Sequence, residues 1–94
     1  MRVVLIHEDN HGMIGVALNY YHAVRWLIDE HWLMDNTEVY VYENGEESWI
    51  RLDERLGKDW ADLLMDHWDI DNFNAYFSDC FYLESVEVYG SEMD

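Results

Sequence analysis

The chain has 94 residues, half of them apolar, with five Trp and seven Tyr, and it sets 21 Asp and Glu against 5 Lys and Arg for a formal charge of −16. The aromatic content argues against an acidic disordered tail. The charge excludes sequence-independent binding to DNA or RNA and disfavours docking on anionic membranes, because nothing here replaces the counterions along a phosphate backbone.

The apolar run over 3–6 predicts a buried strand, and 8–12 reads as a loop. Gly12-Met13-Ile14-Gly15 has neither the Lys-Ser/Thr ending nor the third glycine of a phosphate-cradling loop, and it reads as a turn. Helical spacing over about 14–31 places Ala17, Tyr20, Tyr21, Val24, Leu27 and Ile28 on one face, with Arg25 and Asp29 four apart and able to pair. Residues 35–37 end this unit. Alternating β-formers over 38–43, the dipeptide Asn44-Gly45 and a returning run over 48–52 predict a hairpin with a type I′ turn. An irregular turn ending near Gly57 precedes helices over 59–68 and about 71–77, and a last alternating strand covers 84–89.

That order is βαββαβ, as in ferredoxin-like sandwiches. The expectation is one acidic α+β domain over 1–94, with a four-stranded, mainly antiparallel sheet and helices on one face. Strand order is not legible in the pattern, which leaves other α+β arrangements open. No stretch approaches the ~20 apolar residues of a membrane span. The opening turns acidic after four apolar residues, unlike a signal peptide, and the lone Cys80 has no partner for an internal disulfide. The expected setting is cytoplasmic.

The acid is unevenly placed. All five bases (Arg2, Arg25, Arg51, Arg55 and Lys58) precede Asp59, and ten acids follow: Asp59, Asp62, Asp66, Asp69, Asp71, Asp79, Glu84, Glu87, Glu92 and Asp94. Asp59, Asp62, Asp66 and Asp69 are spaced 3, 4 and 3, which on one helix makes a stripe about 80° wide, opposite Ala61, Leu64, Met65 and Trp68. One reading is a solvated helix face. The sharper one is a row of carboxylates that imitates phosphates and docks in a basic groove. Glu43, Glu46 and Glu47 at the hairpin tip, with Asp71 and Asp79, extend the candidate surface. Tyr40 and Tyr42 share a strand face and, with Tyr89, would line a helix-free sheet face as a dimer or partner interface.

His7-Glu8-Asp9-Asn10-His11 matches the letters of H-E-x-x-H, but that chemistry needs both His on one helical face, and this stretch leaves a strand and enters His11-Gly12. Residues 69–74 open like a calcium loop, then place Phe73 at a ligand position and Asn74 where the turn wants Gly. Neither metal nor cofactor is expected. Cys80, beside Asp79 and among Tyr76, Phe77 and Phe81, reads as a core residue, and His22, His31 and His67 read as structural. No catalytic constellation is singled out by spacing, so the chain is expected not to be an enzyme.

The opening Val-Leu-Ile-His-Glu-Asp-Asn-His-Gly, the middle Gly57-Lys58-Asp59-Trp60 and the late Cys80-Phe81-Tyr82-Leu83-Glu84 resemble the small acidic proteins of bacteriophages and other mobile elements. Several of those are anti-CRISPR or anti-restriction inhibitors, some of them DNA mimics. The resemblance implies an inhibitor of a host nucleic-acid-binding protein, a CRISPR effector nuclease above all, which reads DNA through basic grooves. The alternative is a small adaptor that binds a basic or aromatic protein surface without competing with nucleic acid. Direct nucleic-acid and membrane contacts are not expected; a homodimer is open.

Overall fold

Nine elements are laid out along residues 1–88, the part of the chain that the computed structural model describes. Strand β1 (Arg2–Glu8) turns through Asp9–His11 into β2 (Gly12–Ala17), and α1 covers Tyr20–Asp29. Strands β3 (Glu38–Glu43) and β4 (Glu46–Arg51) form the hairpin. Three short helices follow, α2 (Leu52–Leu56), α3 (Trp60–His67) and α4 (Ile70–Tyr76), and β5 (Phe81–Glu87) closes the described chain.

The class is α+β, but the four-stranded sheet does not form. The strands divide into a three-stranded antiparallel sheet of order β2-β1-β5 and a separate two-stranded sheet, β3-β4. Strand β2 is the reason. It folds back on β1, and β5 pairs along the other side, so both edges of β1 are taken before the hairpin can join. The hairpin is held from its base instead, where the Leu52 N–H donates to the Thr37 carbonyl at 2.7 Å and the Asp53 N–H to the Asp35 carbonyl at 3.1 Å.

The Gly12–Gly15 stretch is therefore strand, not turn, and α1 starts at Tyr20 rather than near Ile14. The competing signal was the cap. Asn19 has extended backbone, and its side-chain oxygen accepts the His22 N–H at 2.9 Å, which fixes the helix start. Gly15 makes β2 compatible with α1, because a Cβ there would lie 3.2 Å from the Trp26 indole and 3.4 Å from Ile6. Bare backbone lets the indole lie against the strand.

The hairpin matches its expectation. Asn44 and Gly45 both have positive φ, at 56° and 79°, as a type I′ turn requires. Residues 52–56 are helical rather than irregular, and Gly57, at φ 92°, ends them. Strand β5 begins at Phe81, earlier than the alternation suggested, and Tyr89 lies outside the described residues.

The core joins Val4 and Ile6 of β1, Phe81 and Leu83 of β5, Val24 and Leu27 of α1, Leu64 of α3 and Phe73 of α4. Burying each such side chain contributes about 1.5–3 kcal/mol. The polar tips inside are served: the Tyr20 hydroxyl donates to the Leu64 carbonyl at 2.7 Å, and the Trp60 indole N–H to Asp35 at 2.6 Å. The opposite sheet face, with Val16, Tyr82 and Val88, is exposed.

Candidate partner-binding surface

The nine acids singled out by the sequence, Asp59, Asp62, Asp66, Asp69, Asp71, Asp79, Glu43, Glu46 and Glu47, are all exposed. They do not form the single helical stripe. Only Asp62 and Asp66 lie within α3, one turn apart on its solvent face, at roughly 5–6 Å between their Cβ atoms. Asp59 stands just before that helix, and the chain leaves helical geometry at Trp68, whose φ and ψ are −102° and 161°. Asp69 caps the next helix instead, its carboxylate accepting the Asn72 N–H at 2.9 Å, with Asp71 in that helix's first turn.

The break turns Asp69 away from the pair on α3. It lines a recess of about 300 Å³ with Arg2, Leu18 and Tyr20. Burial, with the Asp69 charge added, pushes the Tyr20 phenol well above its ordinary value of 10.0. Asp79 lies in the turn before β5, near the hairpin. Desolvation first, then a hydrogen bond to Glu47 and the charges of Glu47 and Asp79, raise the Tyr40 phenol. Glu43 and Glu46 face each other across the hairpin, and Arg55 pairs with Glu43, which relieves that like-charge contact.

The base-free run from Asp59 onward is divided by the fold. Glu84 lies 3.1 Å from His7, and Glu87 lies 3.5 Å from Arg2, because β5 pairs with β1. Asp59, Asp62, Asp66, Asp69, Asp71 and Asp79 have no ion pair among the described residues. The expected Arg25–Asp29 pair is present at 3.5 Å.

The hairpin adds a feature that the sequence only half disclosed. Tyr40 pairs with Trp49 and Tyr42 with Glu47, so three aromatics share one face, with the Tyr40 and Trp49 rings edge-on at 5.7 Å. Trp49 is 56% exposed and Tyr42 63%. Trp49 was legible as a β-former but not as a neighbour of Tyr40, since register decides that.

His7 sits in β1 and His11 in the following turn, bonded to Glu8, so the helical geometry of a zinc protease motif is not formed. Burial, then Asp79, Asp9 and Glu8, push the Cys80 thiol up, which keeps it protonated. No helix among the described residues is long and apolar enough to cross a membrane. Comparison with protein-family models, with curated proteins and with solved structures finds no match.

Proposed function

We propose that the chain is a non-enzymatic inhibitor that occupies the basic nucleic-acid cleft of a host protein with the acids of α3, α4 and the α4–β5 turn. The observation that carries this reading is the set of six exposed carboxylates without an ion pair among the described residues. Elsewhere Glu43, Asp29, Asp53 and Glu87 are each matched by an arginine. An unmatched acidic surface raises the local potential, speeds encounter with a basic groove and releases that groove's counterions on docking. The resemblance to acidic phage inhibitors narrows the target class to a nuclease, with a CRISPR effector in the first place. There the carboxylates would stand where DNA phosphates or a PAM duplex bind.

A nuclease captured from host lysate on the immobilised chain provides the assay, with DNA binding and cleavage as readouts. The double variant Asp62→Lys and Asp66→Lys is expected to weaken inhibition by about 100-fold, or about 2.7 kcal/mol, with an unchanged circular dichroism spectrum. Raising salt to ~0.5 M, where the Debye length is about 4 Å, is expected to weaken it as well. Full inhibition by the double variant sinks the reading.

The aromatic hairpin face supports a second reading, an adaptor that binds an apolar or basic protein surface. Exposed Trp and Tyr are the residues that dominate such contacts. If Trp49→Ser abolishes capture and the double charge reversal leaves it intact, the adaptor reading replaces the first.

A further inference from the structure

The three-stranded sheet has two edges, and the chain treats them differently. Along β5 the outward backbone groups are occupied. The Leu83 N–H donates to the Asn74 side-chain oxygen at 2.8 Å, and the Asn74 amide donates back to the Leu83 carbonyl at 2.8 Å, so one side chain takes the place of a neighbouring strand. Arg2 donates to the Ser85 carbonyl at 3.1 Å and to its hydroxyl at 3.0 Å. Such capping blocks strand addition.

Along β2, no hydrogen bond other than those to β1 reaches the strand backbone among the described residues. Gly12–Ala17 holds no charge and no proline, the two usual guards of an open edge. Its side chains are apolar and outward: Met13 is 58% exposed, Val16 55% and the following Leu18 61%. A groove of about 320 Å³, lined by Val16, Leu18, His22, Arg25 and Trp26, lies against this strand.

We propose that the β2 edge pairs with the β2 edge of a second copy of this chain, joining two three-stranded sheets into one of six strands across a two-fold axis. Charge selects the occupant. With a formal charge of −16, two copies can meet closely only along acid-free surface. The other strands fail this condition: β3 carries Glu38 and Glu43, β4 carries Glu46 and Glu47, and β5 carries Glu84 and Glu87. The unpaired acids sit on or beside α3 and α4, which pack against α1 and β5, not against β2. A two-fold antiparallel pairing is isologous and places Met13 and Val16 of each copy against their counterparts. The pairing is independent of the inhibitor reading and stands or fails without it.

The joint is small, below the ~1,200 Å² of stable interfaces, so association in the range of about 10–100 μM is expected. Sedimentation equilibrium from ~10 μM to ~1 mM in ~0.5 M NaCl tests it. The mass is expected to rise from the 11.4 kDa of one chain towards twice that value, and added salt is expected to strengthen the dimer by screening its repulsion. Val16→Lys sets like charges opposite one another and is expected to raise the dissociation constant at least about tenfold. It alters an exposed side chain, so its thermal midpoint is expected to stay unchanged. Amide exchange on β2 is expected to slow as protein concentration rises. A monomer at ~1 mM, a dimer indifferent to Val16→Lys, or protection confined to another element overturns the proposal. Protection of β2 only after addition of an unrelated apolar peptide also overturns it.

Discussion

The acids of β5 and the acids of α3 and α4 belong to one base-free run of sequence, yet the fold gives them opposite circumstances. Glu84 and Glu87 lie on a strand whose ladder with β1 brings His7 and Arg2 across to meet them. Asp62 and Asp66 lie on a helix whose inward face is occupied by Trp60 and Leu64 and whose outward face meets only water. A charge run in sequence is thus not a charge patch in space. Strand pairing neutralises one part of it, and what remains marks the surface where a partner's charge has room to act.

The largest expected effect breaks the paired side. Asn74→Ala removes both hydrogen bonds to Leu83, a buried residue, and leaves its N–H and C=O without partners. A loss of about 2–3 kcal/mol in urea denaturation is expected. A loss below ~0.5 kcal/mol would mean that the β5 edge does not depend on that cap.

An intermediate effect lies where the second region turns inward, at Tyr20. Burial and Asp69 raise its phenol above 10.0, so the folded chain keeps a proton that the unfolded chain releases. Stability from this group is complete below pH 10 and declines above it, by up to about 1.4 kcal/mol per pH unit. Denaturation followed from pH 9 to 11 is expected to show that slope, and Tyr20→Phe to flatten it. An equal slope in the variant would assign the decline to another group.

The smallest effects sharpen the contrast most directly. Asp62→Asn relieves like-charge repulsion with Asp66 and is expected to raise stability by a few tenths of a kcal/mol. Glu87→Gln removes the partner of Arg2 and is expected to lower it by up to about 1 kcal/mol. Equal signs in thermal melts would erase the distinction between the regions.

Local chemistry was legible where it acts alone. Asn44-Gly45 allows few geometries, and the hairpin followed from it. The α3 helix was readable from Leu64 and its neighbours, although Asp69 was misassigned. Its spacing from Asp66 fits a helix row, while its place before Ile70 and Asn72 fits a cap, and the cap won. Strand β2 was hidden because Ile14, Ala17 and Tyr21 also satisfy helical spacing. Its identity depends on Gly15 meeting Trp26 and on pairing with β1, both of which are tertiary facts. The ion pairs of Glu84 and Glu87 were illegible for the same reason, since strand order decides them. All nine candidate acids were correctly read as surface residues; their grouping into α3, the head of α4 and the hairpin side was not.

The place of β1 between β2 and β5 also bears on how the chain folds. Its pairing with β2 closes a turn of three residues and can form at the hairpin timescale of about 1–10 μs. Its pairing with β5 joins Arg2 to Ser85, 83 positions away, and must await a loop that holds every other element. The central strand is therefore zipped along one side early and along the other late. A nascent chain on the ribosome holds a two-stranded sheet with β1 open on one edge until Phe81–Glu87 emerges, and translation of that last strand shuts it.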